Sequence, residues 1–354
     1  MKIIFLLPFR KNSPVGGLKI MYEYANRLAK RDHQVTILHF RKKFQKYPAV
    51  IYPLTRLLKE MENALFGRWF QFNKKCKLAY IRYVNNDTVP DADAIIYTWW
   101  TLGFLVEKLS PSKGVKINLI QDYETWAGGI DKLHQSYNLS GIQNIVIAEY
   151  LEEIVSRYTE KKTLLLYNAI DTSKFRVIKE IEKRNSRTVC MLFHKEPRKG
   201  TTYGLESLYL VRKEIPDLKA ILFGVYDKPE NLPEFVEYYK KPKDLCALYN
   251  RAAIYFTNSL QEGWALPPAE AMSCGCALIC TDIGGHRPYA NAQNALLVNP
   301  CKPEEMANAI IDLIKHPEKR IRLAKEGNRT IQQFSWNHSV QLLEKYIFEL
   351  IENQ

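Results

Sequence analysis

The sequence predicts an α/β protein of two Rossmann-like, doubly wound domains facing each other across a cleft. Three observations carry this. Short β-branched and aromatic runs alternate with helically spaced segments along the 354 residues, as in parallel sheets covered by helices. The alternation restarts near the middle. A hydrophobic content of 46% over this length supplies two cores, each of roughly 150–200 residues.

The elements follow in order. "KIIFLLPF" is a buried strand ended by proline. "SPVGGLKIMYEYANRLAKRDH" supplies a glycine turn and then a helix, with Leu18, Met21, Tyr22, Ala25 and Leu28 on one face. "QVTILHF" is the next strand, completing the β–Gly loop–α–β opening of a doubly wound sheet. "DAIIYTWW", "KINLIQDY" and "KTLLLYNAID" are further strands, and "IVIAEYLEEIVSRY" runs from strand into helix. The second half begins with the strand "RTVCMLFH", a basic turn and the helix "GLESLYLVRKEI". The strands "LKAILFGV", "AIYFTNS", "CALICTDIG" and "NALLVNP" follow, separated by helices at "KDLCALYNRA" and "PPAEAMSCG". A long interrupted helical region leads to a final helix with Val340, Leu343, Ile347 and Leu350 on one face. Expected boundaries are 1–167, 168–332 and a C-terminal helix, 333–354, packing back on the first domain.

Charge is uneven. Of a net +13, residues 41–82 hold 11 basic and 2 acidic residues. Such a field attracts anions, whether nucleic acid, phosphorylated substrates or an anionic membrane. No apolar run approaches the roughly 20 residues that span a bilayer, and "MKIIFLLPF" lacks the features of a cleaved leader. A cytoplasmic location is expected. None of the seven cysteines forms C-x-x-C, so reduced thiols are expected and no zinc site.

"LQEGWALPPAEAMSCGCALICTDIGGHRP" places Glu262 and Glu270 either side of Pro267 and Pro268. Prolines suit a first helical turn, which puts the segment at a helix N-terminus, where amide groups and the dipole favour phosphate. Glu270 is expected in that first turn. This segment resembles the E-x7-E element of retaining glycosyltransferases of the GT-B fold, glycosyltransferase family 4. "LLYNAIDTSKF" resembles the family's interdomain element, and "LFHKEPRKGT" stands where the family has "G-R-L…K-G". The resemblance covers the C-terminal half well. The N-terminal half matches only at its Gly-rich turn and in strand order.

The resemblance implies transfer of a sugar from a nucleotide-diphosphate-sugar to a saccharide acceptor, in lipid-linked or surface polysaccharide assembly. It implies no separate cofactor and no metal. Glu270 would bind the ribose, and Lys199 with the 263–266 backbone (Gly263, Trp264, Ala265, Leu266) the diphosphate. Glu262 would contact the donor sugar. Gly16 and Gly17 would frame donor and acceptor. Two departures stand out. His194 replaces the family arginine, with Arg198 as the alternative cation, and Gln121 stands where many relatives have a histidine. Asp122, beside Glu124 in the acceptor vicinity, is then a candidate for taking the acceptor proton; the donor phosphate is the other. Asp91 and Asp93 match D-x-D formally, but they precede a strand instead of ending one.

Arg68, Trp69, Phe70, Lys74 and Lys75 interleave charge with aromatic rings, a pattern suited to an anionic membrane surface. Rival readings are a nucleotide-sugar epimerase on a similar fold, an NAD-linked dehydrogenase and a basic nucleic-acid binder. "VGGLKI" lacks the dinucleotide fingerprint, and no recognisable nucleic-acid module is present.

Overall fold

The computed structural model describes residues 1–8, 15–40, 50–66 and 69–353, with side chains described throughout these except at 59 and 62–66. The chain forms two compact units, one of Met1–Tyr167 with Asn337–Gln354 and one of Asn168–Trp336.

The first unit contains β1 (Lys2–Pro8), α1 (Gly16–Lys30), β2 (Gln34–Phe40), α2 (Tyr52–Phe66), β3 (Lys77–Ile81), β4 (Ala94–Tyr97), α3 (Trp100–Val106), β5 (Val115–Ile120), α4 (Ile130–Gln135), β6 (Ile142–Val146), α5 (Glu149–Val155) and β7 (Leu164–Leu165). Its seven strands lie in the order β3-β2-β1-β4-β5-β6-β7, and every recorded pairing is parallel. A parallel sheet covered on both faces needs apolar residues on both sides of each strand. β1 supplies them, with Ile3 to Leu7 buried without a break. Ile4, Leu6, Leu38, Ile95 and Tyr97 anchor one core cluster, each such side chain contributing about 1.5–3 kcal/mol by burial.

The second unit repeats the plan with β8 (Thr188–Leu192), α6 (Thr201–Glu214), β9 (Lys219–Gly224), β10 (Val236–Lys240), α7 (Leu245–Arg251), β11 (Ile254–Thr257), α8 (Leu266–Ser273), β12 (Ala277–Thr281), β13 (Ala295–Val298), α9 (Pro303–Lys315) and α10 (Pro317–Ile331). The strand order is β10-β9-β8-β11-β12-β13. α11 (Trp336–Glu352) closes the chain. Its residues from Asn337 onward belong with the first unit, where Val340, Leu343 and Ile347 are buried. Glu344 receives Arg31 at 2.6 Å and His33 at 2.7 Å.

The structure differs from the sequence expectations in places. The strand expected at "KTLLLYNAID" is only two residues long. β3, β10 and α2 were not anticipated. Gly16 and Gly17 are the first two residues of α1, not a turn before it. All seven cysteines are free thiols.

Candidate active site

In each sheet the strand order reverses about its first strand, between β1 and β4 in one unit and β8 and β11 in the other. At such a switch point the loops leaving neighbouring strands diverge, and the crevice at their carboxyl ends is where open α/β sheets take ligands. In the second unit the loop after β8 carries His194, Arg198 and Lys199, and the loop after β11 carries Ser259, Glu262 and Gly263.

These loops meet through one buried ion pair. The Lys199 ammonium donates to both carboxylate oxygens of Glu262 at 2.8 Å. Ser259 Oγ adds a hydrogen bond to Oε1 at 2.8 Å. The two charged side chains are only 18% and 11% exposed. Burial pushes the Glu262 carboxyl up, but the Lys199 charge and hydrogen bond, with help from His286 and Ser259, hold it below its ordinary value. Glu262 is therefore ionised at neutral pH. The sequence reading gave Lys199 and Glu262 separate ligand groups; here they hold each other.

Gly200 makes the approach possible. It caps α6 with φ +63°, and a Cβ there would lie 1.9 Å from the Asn258 carbonyl oxygen. Only glycine permits both. Leu260 N donates to Arg198 O at 2.7 Å, joining the same two loops.

His194 is not a stand-in for a cation. Its Nδ1 accepts the Glu196 amide at 3.1 Å, so the proton lies on Nε2, which donates to the Tyr226 hydroxyl at 3.4 Å. Burial lowers its basicity, which leaves the ring neutral at pH 7. Arg198 is drawn to Glu196 at 3.0 Å.

α8 begins at Leu266, so Pro267 and Pro268 occupy its second and third positions, where missing amide donors cost nothing. Glu270 is then the fifth residue. The expectation of a first-turn carboxylate is corrected: Glu270 lies in the second turn, 5% exposed, and accepts the Tyr249 hydroxyl at 3.3 Å. The Ala265 amide donates to the Gly285 carbonyl at 3.3 Å, so the 263–266 backbone is partly engaged within the protein. Trp264 packs its ring on Tyr289 and Phe334.

His286 escaped the sequence reading. It is fully buried, and its Nδ1–H donates to the Thr281 carbonyl at 2.8 Å. Thr281 in turn donates its hydroxyl to the Ser259 carbonyl at 2.5 Å. Burial depresses its basicity, so a neutral ring sits within electrostatic reach of Glu262. Only "GGH" after a strand hinted at it, and periodicity in a loop says nothing of burial.

In the first unit the switch point brings Gly17 and Gln121 together. Gln121 Nε2 donates to the Gly17 carbonyl at 3.2 Å and to Thr98 Oγ1 at 3.1 Å. Asp122 accepts the Tyr123 amide at 2.9 Å, and Glu124 accepts the Trp100 amide at 3.3 Å. Asp91 is taken by Lys113 at 2.8 Å and Ser112 at 2.7 Å, and Asp93 by the Lys2 amide at 2.6 Å. Among the described residues, no group of three or more His, Cys, Asp or Glu side chains is placed to hold a metal ion.

Of the basic stretch, Arg68 lies outside the described residues. Trp69 and Phe70 are half-buried, and with Phe72 they pack around the buried Tyr22 ring at centroid distances of 4.7–5.7 Å. Lys74 is exposed, and Lys75 pairs with Asp32 at 2.6 Å. Among the described residues of the stretch, several exposed apolar side chains lie on α2, where Leu54, Leu57, Leu58 and Met61 are each more than half exposed.

Part of the chain is similar to a known family. Residues 173–330 match the family of glycosyl transferases group 1. A D-inositol 3-phosphate glycosyltransferase of Rhodococcus erythropolis is 32% identical over 107 residues, which cover 30% of this chain and 24% of that protein. The chain thus spans about a quarter of that relative. An uncharacterized glycosyltransferase of Haemophilus influenzae is 22% identical over 92% of this chain and 94% of its own. Among solved structures, Anabaena HepE in complex with UDP superimposes with a TM-score of 0.77 at 15% identity, covering 99% of this chain and all of that one. The fold is the two-domain α/β GT-B fold. Among the described residues, no helix is long and apolar enough to cross a membrane.

Proposed function

We propose that this protein is a retaining, metal-independent glycosyltransferase of family 4. It moves a sugar from a nucleotide-diphosphate donor to a saccharide acceptor. The observation that carries the reading is the buried Lys199–Glu262–Ser259 cluster at the switch point of the domain that matches the family. A cation fixed at a crevice neutralises the charge growing on a departing diphosphate. The adjoining α8 N-terminus contributes the positive end of its dipole toward phosphate, while Pro267 and Pro268 leave it two fewer amide donors. Because Glu262 already satisfies Lys199, the donor diphosphate binds by taking that ammonium. Glu262 is thereby released to accept hydroxyls of the donor sugar. Glu270, buried in the second turn of α8, serves the ribose.

The test is turnover of a UDP- and GDP-sugar panel with and without saccharide acceptors. Acceptor-dependent release of nucleotide and a product with the donor's anomeric configuration by NMR are expected. Lys199→Ala should weaken UDP binding tenfold or more, and Glu262→Gln should lower kcat more than it changes UDP affinity. Sugar conversion without acceptor would favour an epimerase and end this reading.

The acceptor is proposed to be lipid-linked, at the inner face of the cell membrane. The exposed leucines of α2, within a stretch holding nine more basic than acidic residues, favour an anionic surface worth about 1 kcal/mol per basic residue. No sedimentation with anionic vesicles at low salt would remove this part alone.

A further inference from the structure

His286 has no part in the functional reading so far. It sits in the loop after β12 with no exposed surface. Gly285, just before it, packs tightly on Glu262: a Cβ there would fall 2.7 Å from the Glu262 Cβ and 2.2 Å from its carbonyl oxygen. The ring's Nδ1–H is committed to the Thr281 carbonyl at 2.8 Å. Nε2 has no hydrogen-bond partner among the described residues. Buried polar atoms are nearly always paired, so an open lone pair this close to a buried ion pair calls for a reason.

The charges around the ring supply one. Glu262 and Asp282 favour its protonation, and Lys199 opposes it. Asp282 is already held by Arg287 at 2.8 and 3.1 Å. The Tyr289 ring, 6.4 Å away between centroids, stays neutral because burial pushes its hydroxyl well up. The balance therefore turns on Lys199. While its ammonium sits 2.8 Å from both Glu262 oxygens, the carboxylate is compensated and the buried imidazole is neutral. Once the ammonium leaves, Glu262 keeps the Ser259 hydroxyl but loses that cation, and a buried charge deprived of its partner is costly.

We propose that His286 is the standby counter-charge of Glu262. When Lys199 is drawn from the carboxylate, Nε2 takes a proton from solvent and becomes a donor; the Nδ1–H bond to Thr281 is kept, and no other covalent bond changes. His194 is less suited to this. Its Nδ1 accepts the Glu196 amide and its Nε2 donates to Tyr226, so a proton would cost it a hydrogen bond. The inference rests on the proposed function at one point, that a donor diphosphate draws Lys199 away. Nucleotide binding then takes up a proton while Glu262 stays ionised for the sugar hydroxyls. His286 is thus a positioning residue that acts on the donor through Glu262.

Histidine side-chain NMR tests this without nucleotide. The His286 signal is the one lost in His286→Asn. In the wild-type protein it should stay neutral down to about pH 5.5. In Lys199→Met its proton affinity should rise tenfold or more, and the double variant Lys199→Met, Glu262→Gln should return it to the wild-type position. An unshifted His286 in Lys199→Met, a shift kept in the double variant, or a shift of His194 in its place overturns the proposal. Calorimetry with UDP in buffers of different ionisation enthalpy is a second measurement that needs no Lys199 variant to fold. At about pH 6.5 the wild type should take up at least about 0.3 proton per UDP more than either His286→Asn or Glu262→Gln; equal uptake overturns the proposal. If the wild-type protein binds no UDP while the NMR shifts are seen, His286 keeps its role and the nucleotide-sugar reading falls instead.

Discussion

A lysine and a glutamate that hold each other at the switch point of the second unit are coupled in stability. Removing one partner of a buried pair leaves the other charge uncompensated, at a cost of about 3–5 kcal/mol in well-buried cases. The Lys199–Glu262 pair keeps 18% and 11% of its side-chain surface exposed, so Lys199→Ala should lose about 2–3 kcal/mol at pH 7 in urea unfolding. The Glu262 carboxyl is held below its ordinary value. Its stabilising share is therefore present above the unfolded carboxyl's pKa, about 4.3, and is lost as pH falls through the lower folded value. The loss in Lys199→Ala should accordingly shrink toward pH 4. The same loss at pH 4 and pH 7 would show that packing, not charge, is at stake. Gly200 offers a separate test. Its φ of +63° and the 1.9 Å approach to the Asn258 oxygen mean that Gly200→Ala must strain the backbone and push the loops apart. A loss of about 2 kcal/mol with weaker UDP binding is expected. A variant that melts and binds as wild type would show the loop to be slack.

At the scale of elements, legibility followed burial. β1, β8 and β12 are apolar on both faces, so uninterrupted runs announced them. β3 and β10 lie at sheet edges, and edge strands carry polar residues that blur the pattern. "KLAYI" and "VEYYK" were accordingly passed over. α2 was hidden because its basic setting drew the eye to charge, although its leucines recur at helical spacing. Glu270 was misplaced because the chain enters α8 one residue before the first proline. Motif spacing named Lys199, Glu262 and Glu270, but nothing in the sequence told that the first two pair. The last helix was legible in its apolar stripe, whereas the Glu344 contacts with Arg31 and His33 join residues some 311 positions apart. Burial pushes the Glu344 carboxyl up, and hydrogen bonds from Arg31 and His33 outweigh it, leaving the group below its ordinary value. Glu344→Gln should cost about 1–2 kcal/mol at pH 7, falling toward zero below about pH 4. If the cost is absent at pH 7, the helix is held by Val340, Leu343 and Ile347 alone.

For the whole molecule, two neutral histidines in the second unit set a direction of acid sensitivity. Burial depresses the basicity of both His194 and His286. Above the ordinary histidine pKa of about 6.5, the rings are neutral folded or unfolded and contribute no pH dependence. Below it the unfolded chain takes up protons that the folded chain refuses, so unfolding gains free energy as pH falls toward the lower folded values. Their stabilising share is thus present above about pH 6.5 and drains away below it. Carboxylates such as Glu262 and Glu344 begin to lose theirs only at lower pH, so the two regimes are separable. Stability in urea should be flat from pH 8 to 7 and decline from about pH 6.5 to 5.5. His286→Asn retains a side-chain donor for the Thr281 carbonyl but cannot titrate, so it should flatten part of that decline while losing some stability at pH 7. Nucleotide adds an independent lever, because a ligand at a hundred times its Kd stabilises the native state by about 2.7 kcal/mol. If UDP binds at Lys199 as proposed, the decline should begin from a higher level and keep its onset near the histidine range. If the onset instead moves below about pH 5 in the wild-type protein, the two rings are protonated in the folded state and their neutral hydrogen-bond assignments are wrong.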